Sequence, residues 1–151
     1  MKNIATNRKA RRDYEVIEAF ECGIELKGSE VKSLRASKMN LDDSYARIDA
    51  GEVVLHSAHI SPYEQASYLN VDAVRPRKLL LHRLEIERLA GKVAQKGFTL
   101  IPLKAYFNDR GIVKIELALC KGKKIYDRRE AVKRRDANLE IRRGLKEKRR
   151  R

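Results

Sequence analysis

The last 31 residues, KGKKIYDRREAVKRRDANLEIRRGLKEKRRR, hold 15 Lys/Arg against five Asp/Glu. They carry +10 of the chain's formal +14, so residues 1–120 carry only +4. No aromatic residue follows Tyr126, and apolar residues in this stretch are few. A segment of that composition cannot offset the entropy lost on ordering, and it reads as disordered in the free protein. The hydrophobic core must therefore come from the first 120 or so residues, enough for one domain. This divides the chain into a folded domain over residues 1–125 and a basic tail over residues 126–151.

A pI near 10 with its excess charge clustered at one end points to a polyanionic partner, nucleic acid before an anionic membrane surface. No apolar run approaches the ~18 residues of a membrane span. The N-terminus, MKNIATNRKARRDYEV, is basic but lacks the apolar stretch of a secretory leader. Cys22 and Cys120 fall in strand-like runs without metal-ligand or CxxC spacing. They read as buried thiols of a reducing compartment, which makes the cytoplasm the expected location.

The body is rich in strand signals. Residues 14–26, YEVIEAFECGIEL, place Tyr14, Val16, Glu18 and Phe20 on one face, and Gly23 suggests a bulge or bend. Residues 29–35 suit a short helix capped by Ser29, with Val31 and Leu34 facing inward. SYARIDAGEVVLHSAHI reads as a hairpin turning at Asp49, Ala50 and Gly51. Residues 61–76 read as a long loop. Leu84, Leu89 and Val93 then mark a longer helix closed by Gly97. FTLIPLKAYF and GIVKIELALC form a second hairpin through Asn108, Asp109, Arg110 and Gly111. The expected class is mainly β with helices: a small antiparallel barrel like the oligonucleotide-binding (OB) barrel, plugged by a helix.

Catalytic signatures are missing from the sequence. His56 and His59 would lie on opposite faces of a strand, and His82 is remote, so no metal site is expected. GKK at residues 122–124 lacks the frame of a phosphate loop, and no serine or cysteine sits in a nucleophile motif. Basic patches are better represented: NRKARR at residues 7–12, then Arg75, Arg77 and Lys78, then Lys121, Lys123 and Lys124. At the ends of elements such cations can neutralise phosphates without reading sequence. Tyr14, Tyr63, Tyr68 and Tyr126 stand near them and could stack on unpaired bases. Phe20, Phe98, Tyr106 and Phe107 lie inside strand runs and read as core.

Six motifs in order, NRKARRDY, GIELKGSEVKSLRASK, HISPYE, RPRKLLLH, GKVAQKGFTLIPL and GKKIYDRR, resemble the SsrA-binding protein (small protein B) family over residues 7–129. The resemblance implies an OB-type barrel without catalysis or cofactor. It implies binding to the tRNA-like domain of transfer-messenger RNA and delivery to stalled ribosomes, accompanied by elongation factor Tu with GTP. The tail would then occupy the empty message channel beyond the decoding centre of the small subunit. Carried onto this chain, the RNA-binding positions are Asn7, Tyr14, Glu21, Gly23, Leu80, His82, Lys121, Lys123 and Lys124. Asparagine also occurs in the family at position 82, so only a hydrogen-bonding role carries over to His82. Glu21 can accept hydrogen bonds from base amino groups. Tyr126, Asp127, Arg128 and Arg129 match the decoding-centre motif. Histidine also stands at position 126 in the family, which leaves stacking on an rRNA base as the shared role.

Beyond Arg129 the residues themselves suggest a helix formed on binding. Asp127 and Glu130 resemble a capping box, and Ala137, Ile141 and Leu145 form a thin apolar stripe. Gly144 weakens that helix by about 1 kcal/mol relative to alanine. Two other classes remain open at this level, a structural ribosomal protein and an RNA-modifying enzyme, the latter without any supporting motif.

Overall fold

The two alternating apolar runs near residue 110 form the hairpin that organises the molecule, β8 (Phe98–Phe107) and β9 (Val113–Gly122). Its turn is built as its residues dictate. Asn108 Oδ1 accepts from the amides of Arg110 and Ile112 at 3.0 and 2.9 Å, and Gly111 takes the left-handed conformation at φ +75°. The structure is a computed structural model that describes residues 1–65, 71–122, 139 and 141–143. Preceding the hairpin are β1 (Lys2–Thr6), α1 (Arg8–Asp13), β2 (Tyr14–Ile24), α2 (Gly28–Arg35), β3 (Met39–Asn40), β4 (Tyr45–Asp49), β5 (Glu52–His56), β6 (His59–Ile60), β7 (Arg77–Leu80) and α3 (Arg83–Val93).

All pairings are antiparallel, and the order β8-β4-β5-β7-β2-β9 returns to β8, so the sheet closes. Closure gives each of these six strands a partner on both sides, which removes the edges they would otherwise offer to other chains. β8 also carries β1, because β4 meets it near Leu100 while β1 pairs farther along, over Lys104–Phe107. The β4–β5 hairpin turns at Ala50 and Gly51, both left-handed (φ 51° and 76°), as a two-residue hairpin loop requires. Leu41, Val53, Leu55, Leu79, Leu100, Ile115, Leu117 and Leu119 fill the interior. Helix α3 closes it with Leu89, flanked by Ile86 and Val93.

Several local expectations change. Leu84 is 79% exposed. The inward stripe of α3 is Ile86, Leu89 and Val93, because the helix begins only at Arg83. The preceding RKLL is strand, with Leu79 paired to Ile24 and Val53. Ser29 does not cap α2. The Lys27 amide donates to Glu30 Oε1 at 2.8 Å, so the acid serves the helix start instead. The bulge in β2 lies at Val16–Glu18, where both Val16 and Ile17 stand against Cys120, and not at Gly23. The extra residue reverses the inside–outside phase. Tyr14 therefore joins an outer cluster while Phe20 packs on the core.

That outer cluster was not anticipated. Within the basic leader, β1 and α1 are ordered elements. Ala10 of α1 packs with Ile101, Leu103, Ala118 and Cys120, the outward residues of β8 and β9, and with Tyr14. Asn7 fixes the helix: its Oδ1 accepts from the Ala10 amide at 3.1 Å, and its Nδ2 donates to the carbonyls of Pro102 and Leu41 at 3.0 and 3.2 Å. The buried side chain thus satisfies itself while tying α1 to the barrel.

Candidate nucleic-acid interface

The anticipated RNA-binding residues that the structure describes separate into two regions of the barrel. Tyr14 and Glu21 lie seven residues apart on β2, about 20 Å at roughly 3.3 Å per strand residue. The structure brings Glu21, Gly23 and Leu80 together and sets Asn7 and Tyr14 at the opposite end of the strand.

In the first region Glu21 accepts a hydrogen bond from the Tyr106 hydroxyl. Burial, reinforced by that bond and the nearby negative charge, raises the Tyr106 hydroxyl well above the usual tyrosine range. Across the sheet Glu21 stands opposite Glu116, whose Oε2 lies 3.4 Å from Lys104 Nζ. Lys104 Nζ also sits 5.4 Å from the centre of the Tyr106 ring. Glu21 is thereby oriented yet still exposed, which leaves its carboxylate open to donors from outside the chain. Gly23 pairs with Leu80, and a Cβ there would come within 3.3 Å of the Leu80 Cβ. The missing side chain lets Leu80 lie across the strand, 50% exposed. His82 is exposed at the entry to α3, with extended backbone. Tyr106 was assigned only to the core from its place in a strand. Its ring is buried, but the hydroxyl belongs to this site, and the sole sequence signal is tyrosine where phenylalanine would fill the space.

The second region centres on α1. Arg8, Lys9, Arg11 and Arg12 are exposed along it, with Lys9 Nζ 2.6 Å from Asp43 Oδ1. Asn7 is 2% exposed and fully engaged, so it positions α1 and offers no free group at the surface. Tyr14 borders a groove of about 610 Å³ between α1, residues 43–45 and the ends of β8 and β9. Lys121 follows the inward phase of β9, half-buried, its Nζ 5.9 Å from the centre of the Phe98 ring.

The Arg75, Arg77 and Lys78 patch is overturned as a phosphate site. Arg77 is 1% exposed, its Nε 2.5 Å from Glu30 Oε2 and its remaining nitrogens on the carbonyls of Ala58 and Ala73. Arg75 also binds Glu30, through Oε1. Two cations that look like a basic run are thus consumed by one buried carboxylate, and only Lys78 points outward, toward Glu52 at 3.2 Å. Burial opposes ionisation of Glu30, but bonds from Arg75, the Lys27 amide and Arg77 outweigh it and hold the carboxyl below the usual glutamate range. Tyr63 donates to the Gln65 side chain and lies under Lys32 Nζ at 5.5 Å.

Tyr68, Lys123, Lys124, Tyr126, Asp127, Arg128 and Arg129 lie outside the described residues, as does the expected helix start near Arg128. In the tail, Leu139 and residues 141–143 are described and helical, with Leu139 and Ile141 exposed. Among the described residues, no three His, Cys, Asp or Glu side chains are grouped to hold a metal ion. Burial pushes the Cys22 thiol up to about 12 and that of Cys120 up to about 11, which leaves both unreactive at neutral pH. No described helix is long and apolar enough to cross a membrane.

The sequence profile of the SmpB protein family matches residues 4–147. The SsrA-binding protein of Caldicellulosiruptor bescii is 61% identical over 147 residues, 97% of this chain and 92% of the relative. That of Moorella thermoacetica is 57% identical over 97% of this chain and 95% of the relative. A chain from the solved structure described as "tmRNA-SmpB: a journey to the center of the bacterial ribosome" superposes with a TM-score of 0.68 at 57% identity, covering 80% of this chain and 85% of that one.

Proposed function

The chain belongs to the SmpB (SsrA-binding protein) family, a family of RNA-binding proteins and not of enzymes, and from that premise we propose that it is the RNA-binding adaptor of trans-translation. It binds the tRNA-like domain of transfer-messenger RNA and brings that RNA to ribosomes stalled without a stop codon. The observation that carries this reading is the 57% identity, over 80% of this chain, to a chain solved as tmRNA-SmpB. The work is divided as the chain is divided: residues 1–125 hold the RNA, and residues 126–151 enter the message channel of the small subunit.

In this mechanism the Glu21 carboxylate, steadied by Tyr106, accepts hydrogen bonds from base amino groups, and Leu80 packs against a base or sugar beside it. His82 supplies a further hydrogen bond at the same end. Asn7 sets α1, whose arginines neutralise phosphates, while Tyr14 offers a ring to an unpaired base. Lys121, Lys123 and Lys124 extend the cationic edge toward the tail. Tyr126 stacks on an rRNA base of the decoding centre, with Asp127, Arg128 and Arg129 around it, and the rest of the tail is helical once rRNA surrounds it. Elongation factor Tu with GTP accompanies delivery, and the site of action is the cytoplasm.

Sequencing the RNA that co-purifies with the chain from cells tests this directly. One dominant transfer-messenger RNA is expected. Bulk rRNA in stoichiometric amount, without it, would instead make the chain a structural ribosomal component. Deleting the residues after Asp127 should leave affinity for the isolated tRNA-like domain nearly unchanged while abolishing peptide tagging on stalled ribosomes.

A further inference from the structure

We infer that Lys114 is a further RNA-binding residue of the Glu21 region, its ammonium group meeting the phosphate of the nucleotide whose base Glu21 reads. This deepens the RNA-binding reading above and rests on it. Strand register supports it. Two neighbouring rows of outward residues cross β8, β9 and β2. One row runs Lys104, Glu116, Glu21, each directly opposite the next. The other runs Tyr106, Lys114, Gly23 and continues to Leu80 on β7. Lys114 belongs to the outer face because Val113 and Ile115, on either side of it, are both core residues. It stands between Tyr106 and Gly23, and diagonally from Glu21 at about 7 Å.

The two lysines of these rows meet different surroundings. Lys104 Nζ lies 3.4 Å from Glu116 Oε2 and 5.4 Å from the centre of the Tyr106 ring, so its charge is already engaged. The Lys114 side chain forms no ion pair, hydrogen bond or ring contact with any described residue. Gly23 opposite it has no side chain, and the Leu80 side chain lies over that glycine. A half-buried lysine in such a place rests its aliphatic stem on the sheet and keeps its charged head in water. Charge balance gives that head a use. Glu21 and Glu116 set two negative charges side by side, and Lys104 offsets one of them. Without Lys114 the two rows would carry a net negative charge and repel a polyanion. With it, a nucleotide can place its amino edge on Glu21 and its phosphate on the neighbouring ammonium. No sequence signal marks Lys114, which stands alone in an alternating strand outside every basic run.

The test measures affinity of the full chain for the isolated tRNA-like domain across a range of salt. Lys114→Met keeps the stem and removes the charge. It should lose about fivefold in affinity at physiological salt and lower the slope of log affinity against log salt by about 1. Lys114→Gln should lose the same slope, and Lys114→Arg should stay within twofold of the parent. Lys96→Met removes one charge from an exposed position beyond the C-terminal end of α3 and should leave the slope unchanged. A parental slope in both Lys114→Met and Lys114→Gln, an equal drop in Lys96→Met, or failure of Lys114→Arg to restore affinity would overturn the assignment. Each of those results leaves the adaptor reading intact, because the parent chain still binds the domain. Equal parental affinity for ribosomal RNA of the same length, with the slope lost on both RNAs in Lys114→Met, would overturn the adaptor reading and keep Lys114 as a phosphate contact.

Discussion

NRKARR and RPRK look alike in sequence, and the barrel treats them in opposite ways. The first becomes a helix whose four cations face solvent, while the second sends Arg77 inside and leaves Arg75 at the edge, both on Glu30. The difference arises from what lies across the fold. Asn7 fastens α1 by neutral hydrogen bonds, and the ion pairs of that helix, Lys9 with Asp43 and Arg12 with Asp13, are made at the exposed surface, where a partner can compete for them. Arg77 instead meets a carboxylate that no local pattern couples to it, since Glu30 is 47 residues away. A cationic run identifies a nucleic-acid surface only when the fold supplies no buried acid to it.

Removing that acid should have the largest effect. Glu30→Gln leaves Arg77 charged and buried, and urea denaturation should show a loss of about 3 kcal/mol. RNA affinity, measured where the variant is still folded, should not change. The acid limb of the stability profile follows from the same group. Its folded pKa lies below the ordinary 4.5, so its contribution is fully present above ~pH 5 and is lost as pH falls through the folded value. Glu30→Gln should therefore flatten that limb in unfolding curves collected between pH 3 and 7.

The solvent-facing helix should show the reverse pattern. Arg11→Gln with Arg12→Gln should keep stability within about 0.5 kcal/mol and lower the slope of log affinity against log salt by about 1 to 2. An unchanged slope would place the phosphates elsewhere. At the other end of β2, Glu21→Ala should weaken the RNA complex by about tenfold with little change in unfolding midpoint. The smallest effect is expected for Tyr106→Phe, about 1 kcal/mol or less in affinity, because it frees Glu21 to turn without removing it.

Much of the architecture was legible because it rests on local pattern. The β8–β9 hairpin, its turn, the left-handed Gly51 and the helix before β8 all follow from alternation and turn chemistry. The family resemblance supplied Glu21, Gly23 and Leu80, and the structure does place them side by side. What escaped depends on distant pairing. The β2 bulge arises only against Cys120, and it moves Tyr14 to the outer cluster. The ordered β1 and α1 hid in a basic leader, since a single buried Ala10 and a capping asparagine make a weak periodic signal. The groove between Tyr14 and Tyr45 joins residues from four separate stretches of chain, and no spacing announces it.

The central claim is that the barrel selects the tRNA-like fold of transfer-messenger RNA and does not merely attract phosphate. Its most direct test is the affinity of the full chain, at physiological salt, for that isolated domain and for an equal length of ribosomal RNA. A preference of at least tenfold for the tRNA-like domain, abolished by Glu21→Ala, is the predicted result. Equal affinity for both RNAs, falling together with salt and indifferent to Glu21, would contradict it.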